Sequence, residues 1–146
     1  MAFYNRGYTK YELGDQKGAI VDFNKAIEID PDFSIAYANR GFSKKELKDF
    51  HGALADFNKS IELNPKDKEL YSIRGDVKRH LQDFKGAIID FNKVIEIDPS
   101  NKRAYLNRAI AKISIGQKDS GCIDLKKALE LGAVGSEDLI KIYCNK

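Results

Sequence analysis

The stretch Phe50-His51-Gly52-Ala53-Leu54-Ala55-Asp56-Phe57-Asn58-Lys59-Ser60-Ile61-Glu62-Leu63-Asn64-Pro65 decides the fold. Ala53, Phe57, Ser60 and Ile61 fall on one face of a helix of period 3.6, the face that buries. Asn64-Pro65 closes that helix, because the residue before proline disfavours the helical region and proline has no N–H to donate. The same chemistry returns 34 residues away in both directions. Pro31, Pro65 and Pro99 keep that step, as do Phe23, Phe57, Phe91 and Leu125. So do Gly7, Gly41, Gly75 and Ala109, and Ala19, Ala53, Ala87 and Gly121. Tyr37, Tyr71 and Tyr105 add a fifth column, with Phe3 at its head. Chance does not lock five columns into one register; the chain is an internal repeat.

Lys48-Asp49, just before the quoted helix, is a polar break, with Gly14-Asp15 and Gly116-Gln117 as its equivalents. Ahead of the break, Ser34 to Leu47 reads as another amphipathic helix with Tyr37, Gly41 and Leu47 on related faces. Each unit is therefore a pair of helices. Glycine inside a helix costs roughly 1 kcal/mol against alanine. Its recurrence at Gly41 predicts a close approach of the first helix to the second at the column of Ala53, with Tyr37 and Phe57 filling the space around it.

The segments Ala36-Tyr37-Ala38-Asn39-Arg40-Gly41 and Gly52 through Pro65 resemble the signature of the tetratricopeptide repeat family, and four copies in register cover nearly the whole chain. The resemblance implies an all-α fold, a right-handed α-solenoid of antiparallel helix pairs forming a superhelix whose first helices line the concave face. The repeats span about 1–33, 34–67, 68–101 and 102–135. The fourth is worn, with Gly132-Ala133 where Asp-Pro would sit. Ser136 is expected to cap a short helix running to about Cys144, with Glu137 and Asp138 at its positive end. That capping helix and tail, 136–146, presents Leu139, Ile140, Ile142 and Tyr143. At the other end the opening helix begins almost at Met1, without the family's usual first residue or two, so the chain is expected to be a fragment of a longer array.

The chain departs from the family at two columns. Arg6, Arg40, Arg74 and Arg108 stand where an apolar residue is common, and Lys10, Lys44, Lys78 and Lys112 where an aromatic is usual. Four residues apart, the two columns share a helix face. Asp22, Asp56, Asp90 and Asp124 form an equally regular acidic column on the second helices. Matched columns of opposite sign predict a ladder in which each Asp accepts from the Arg of its own unit, with the Lys nearby. The alternative is a basic stripe for an acidic partner.

Residues that vary between units on the first helices are the ones able to encode a partner. These candidates are Tyr4, Asn5, Tyr8 and Tyr11 in the first unit and Asn39, Phe42, Lys45 and Glu46 in the second. The third offers Glu69, Asp76, Arg79 and His80, and the fourth Arg103, Leu106, Asn107, Ile110 and Ile113. Exposed aromatics would be contact anchors; for Tyr4 and Tyr8 the competing reading is packing against an upstream repeat. Asn5, Asn39 and Asn107 share a column, either to hydrogen-bond the backbone of an extended peptide or as a solvated polar row. Some family members grip the acidic tail of heat-shock chaperones with two Lys or Arg, two Asn and a further Lys. The corresponding columns here read Tyr4, Tyr8, Asn39, Glu69 and Ile73, or one unit on Ala38, Phe42, Ile73, Arg103 and Asn107, and neither set can hold a terminal carboxylate in that way.

Composition narrows the function classes. Net charge is +3, from 25 basic and 22 acidic residues, and the signs interleave. A nucleic-acid surface would be more one-sided. No run of about 18 apolar residues is present, so no membrane insertion is expected, nor is a secretory signal legible at the N-terminus. On that basis the chain is placed in the cytoplasm. Cys122 and Cys144 are too far apart for a C-x-x-C motif and read as reduced, semi-buried apolar side chains. His51 and His80 stand outside any metal-ligand spacing, and Glu28, Glu62, Glu96 and Glu130 recur as solvated helix residues. No phosphate loop or nucleophile elbow appears. The expectation is a non-catalytic scaffold without cofactor or metal, holding a protein or peptide partner in its groove. The other reading is a module that stacks on itself through its uncapped N-terminal repeat.

Overall fold

The computed structural model describes residues 1–145, and among these it contains nine α-helices and no strand. They are α1 (Ala2–Glu12), α2 (Gln16–Ile29), α3 (Ser34–Glu46), α4 (Phe50–Leu63), α5 (Lys68–His80), α6 (Phe84–Ile97), α7 (Lys102–Ser114), α8 (Lys118–Glu130) and α9 (Ser136–Tyr143). Lys146, the last residue of the expected C-terminal cap, lies outside the described residues. The chain divides into two compact units, Met1–Leu70 and the remainder from Tyr71 on. In the first, α1 packs on α2, α2 on α3 and α3 on α4. In the second, α6 packs on α7, α7 on α8 and α8 on α9.

The break between the helices of a pair is a one-residue left-handed turn. Gly14, Lys48, Gln82 and Gly116 occupy it with φ of 82°, 63°, 61° and 81°. The next residue caps the second helix: Asp15, Asp49 and Asp83 accept from the amides of Gly18, Gly52 and Gly86, each at 2.9 Å. These bonds satisfy an orphan donor of the first turn. The second helices stop at Asp30, Asn64 and Asp98, the residues ahead of the three prolines.

The packing follows the repeated columns, with two refinements. Ala53, Phe57, Ser60 and Ile61 are all buried, and Phe23, Phe57, Phe91 and Leu125 are each fully buried. The neighbour that demands glycine at Gly41 is Phe57, not the Ala53 column: a methyl there would come within 2.8 Å of Phe57 Cε1. In the last pair the small residue changes sides. Ala109 stands in α7, Leu125 replaces the aromatic, and a methyl on Gly121 of α8 would meet Ile113 Cγ1 at 2.6 Å. Leu47, expected on a helix face, is instead the C-cap of α3 and is 42% exposed.

Two expectations for the C-terminal end are corrected. Ser136 is not an N-cap. Gly135 takes that position with φ of 84°, and Ser136 is buried inside the first turn. The left-handed turn needed to re-aim the chain falls on the glycine, so the helix starts one residue earlier than expected. Cys122 and Cys144 are not reduced: they form a disulfide, with Cα atoms 5.8 Å apart. Sequence distance hid this because α8 and α9 fold back on one another.

Candidate interaction surface

The charged columns are internal. Arg40 donates from Nε to Asp56 Oδ2 at 2.9 Å and from Nη2 to Oδ1 at 2.6 Å. Lys44 Nζ reaches the same carboxylate at 2.8 Å. Arg6, Arg74 and Arg108 make the same two-point contact with Asp22, Asp90 and Asp124, and Lys10, Lys78 and Lys112 supply the third cation. The carboxylates are buried, so the pairing supplies the hydrogen bonds that a desolvated charge requires. Hydrogen bonding to Arg6, aided by Lys10, holds the Asp22 carboxyl far below the usual carboxylate range, against the opposing effect of its burial.

Each guanidinium also lies over a ring three residues earlier. Arg6, Arg40, Arg74 and Arg108 sit 5.4, 5.4, 5.5 and 5.4 Å from the ring centroids of Phe3, Tyr37, Tyr71 and Tyr105. The aromatic column is thus a cation–π platform as well as a space filler. A further link escaped the sequence reading. Asn24 Oδ1 accepts from Arg40 Nη1, and Asn92 Oδ1 from Arg108 Nη1, both at 2.7 Å, so each bond joins neighbouring helix pairs. Asn24, Asn58 and Asn92 keep the 34-residue step, which was the available signal; only stacking shows what the column touches.

In the first unit, Tyr4, Tyr8 and Tyr11 lie along one face of α1 at the i, i+4, i+7 spacing. Tyr4 and Tyr8 stack with centroids 6.4 Å apart, and Tyr8 and Tyr11 are also 6.4 Å apart. Tyr4 leans on Phe33 at 4.9 Å, and its hydroxyl accepts from Asn39 Nδ2 at 3.0 Å. Burial pushes the Tyr4 and Tyr11 hydroxyls above their usual pKa. Tyr8 is 44% exposed, and Asn5 beside it is exposed. Phe42 is half-buried, edge-on to Phe57 at 5.3 Å. Tyr4, Asn5, Tyr8 and Tyr11 therefore lie on α1 and Asn39 and Phe42 on α3, and of these six Tyr8 and Asn5 are the most accessible.

In the second unit the polar candidates pair with one another. Asp76 accepts from Arg103 at 2.7 Å and from Asn107 Nδ2 at 2.8 Å, and Arg79 lies 3.8 Å away. Asn107 is buried by this bond. Ile110 belongs elsewhere: with Ile113, Ser114, Leu139 and Tyr143 it lines a largely apolar pocket of about 140 Å³. Leu139 and Tyr143 come from α9, so half of that wall was invisible to a reading of α7 alone. Among the described residues no three His, Cys, Asp or Glu side chains are grouped to hold a metal, and no helix is long and apolar enough to cross a membrane.

Comparison with known families matches tetratricopeptide repeat models at residues 1–33, 35–67 and 69–101. The chain belongs to the tetratricopeptide repeat family. No curated protein sequence matches it. Among solved structures, this tetratricopeptide protein is similar to MamA at 26% identity, with 97% of this chain and 80% of that one covered and a TM-score of 0.84. A MamA fragment from Desulfovibrio magneticus RS-1, 20% identical, shares the fold with a TM-score of 0.85 over 90% of this chain and 74% of its own. The first such domain of Spaghetti (RPAP3), bound to the HSP90 peptide SRMEEVD, is 26% identical over 79% of this chain and 91% of its own, with a TM-score of 0.74. Tetratricopeptide repeats are protein-interaction modules, and the fold is typically a non-catalytic scaffold.

Proposed function

We propose that this tetratricopeptide protein holds an extended peptide or a partner helix against its first helices, with α1 and α3 as the main contact. One observation carries the reading. With the nearby charges neutralised within the ladder, α1 still presents three tyrosines in a row, and the most exposed of them stands beside an exposed amide. Large rigid rings of this kind dominate interface energetics, and Asn5 offers hydrogen bonds to a peptide backbone. The RPAP3 structure, with its bound peptide, supports the mode. It does not carry over the ligand, since the columns Tyr4, Tyr8, Asn39, Glu69 and Ile73 are no carboxylate clamp. In a reducing cytoplasm, the location expected for this chain, the Cys122–Cys144 bond would be transient.

The test is a selection of displayed peptides on the folded chain, followed by titration of the best binder. Tyr8→Ala should weaken it roughly tenfold or more, Asn5→Ala less, both with unchanged melting, and amide shifts should cluster on α1 and α3. A binder indifferent to both substitutions overturns the reading.

A second reading, self-association through α1, has its own support. The Arg6 side chain is 58% exposed, whereas those of Arg40, Arg74 and Arg108 are 18, 15 and 16% exposed, so the first rung of the ladder is open. Mass that rises with concentration and returns to monomer in Tyr8→Ala would favour it.

A further inference from the structure

α9 packs on α8 through a small apolar contact, in which Leu139 and Ile140 are only half-buried, and a covalent bond backs that contact. Its eight residues fall short of the roughly 12–15 that an isolated helix needs. Only Ser136 among them is buried, and its Oγ has no hydrogen-bond partner. No side chain caps the helix, and Ile142 and Tyr143 remain 53% and 42% exposed. Against this stands the bond from Cys144, the C-cap of α9, to Cys122 in the first half of α8. It spans 22 residues, including the turn and all of α9. Both cysteines are half-buried. The position of α9 has a consequence on α7, because Leu139 and Tyr143 complete the pocket that Ile110, Ile113 and Ser114 begin.

We propose that the Cys122–Cys144 disulfide is a redox latch: closed, it docks α9 and completes the apolar pocket on α7; opened, it releases α9 and dismantles the pocket. A dithiol reductant opens it. One thiolate of the reductant attacks a sulfur of the bond, and the other sulfur leaves as thiolate and takes up a proton. The second thiol of the reductant, as thiolate, then displaces the first sulfur, which is protonated in turn. Two electrons and two protons end on Cys122 and Cys144, and the reductant closes to its own disulfide. Phe91 and Leu125, fully buried on α6 and α8, are the internal reference for what the latch leaves unchanged. The latch thus regulates the Ile110 end of α7, and its bearing on partner binding rests on the function proposed above.

The test uses the full chain in three forms: oxidised, reduced with dithiothreitol, and the double variant Cys122→Ser, Cys144→Ser without reductant. Hydrogen exchange at the amides of residues 139–144 should accelerate on the order of a hundredfold when the bond opens, from the chain entropy that a cross-link of this span removes. The amides of Phe91 and Leu125 should not change. Benzene serves as the pocket probe: it should shift the methyl resonances of Ile110 and Ile113 in the oxidised chain and in neither other form. Unchanged exchange in α9 overturns the latch, because packing alone then holds the helix. Loss of protection through α8 as well also overturns it, making the bond a staple of the whole unit. Benzene shifts that survive the release of α9 sever the latch from the pocket. None of these readouts involves a partner, so they stand apart from the Tyr8→Ala result.

Discussion

Arg40 grips both oxygens of Asp56 with one guanidinium that also lies over the Tyr37 ring and reaches back to Asn24. A single side chain therefore joins the two helices of its own pair and ties them to the pair before. Lysine could not do this, since only the planar fork of arginine matches a carboxylate at two points and stacks on a ring.

Removing one member of this cluster should cost more than a surface ion pair. Asp56→Asn leaves Arg40 and Lys44 partly buried without their carboxylate, and a loss of about 2–4 kcal/mol is expected in urea unfolding. The double variant with Arg40→Leu should lose less than the sum of the two single changes. Additive losses would show that the two residues do not act together.

Acid should act on the ladder late. The Asp22 carboxyl titrates below its unfolded range because Arg6 and Lys10 favour its charged form. A lowered folded pKa means that the stabilisation is fully present above the unfolded value, near 3.9, and is lost as pH falls through the folded one. Carbon NMR of the Asp22 carboxyl should find it still ionised at a pH where exposed aspartates are already protonated. Arg6→Leu should move it back up. Titration in the ordinary range in the intact chain would contradict the pairing.

The left-handed turn offers a gain. Lys48 sits at φ 63°, where a side chain is strained, while Gly14 and Gly116 fill the equivalent turns without strain. Lys48→Gly is expected to raise stability by about 0.5–1 kcal/mol, the strain relieved outweighing the added freedom of the unfolded chain. Thermal melting of the two proteins decides it, and a lower melting point for the glycine variant would reverse the argument.

Gly41→Ala should destabilise by about 1–3 kcal/mol through contact with Phe57, despite alanine's better helix propensity. Adding Phe57→Leu should recover part of that loss, because Ala109 with Leu125 already makes this arrangement in the last pair. Denaturant midpoints of the single and double variants measure the rescue. A double variant worse than Gly41→Ala would rule out the compensation.

Much of this was readable from residues alone. A 34-residue period in proline, phenylalanine and glycine dictates helix pairs, because each residue type acts through local geometry: proline ends a helix, and glycine admits a close ring. The Arg–Asp–Lys ladder was legible too, since the Arg and Lys columns, four residues apart, share a face of the first helix and an equally regular Asp column stands on the second. What needed the folded chain was every contact whose partners have no fixed spacing in one helix. Asn39 could be read as free to meet a peptide until its amide was found on Tyr4, and Asn107 until it was found buried against Asp76. Cys144 gave no sign of Cys122 because their approach depends on how α9 folds back on α8. Local periodicity determines which face of a helix is buried; only the packing of one helix on another decides which residues meet there.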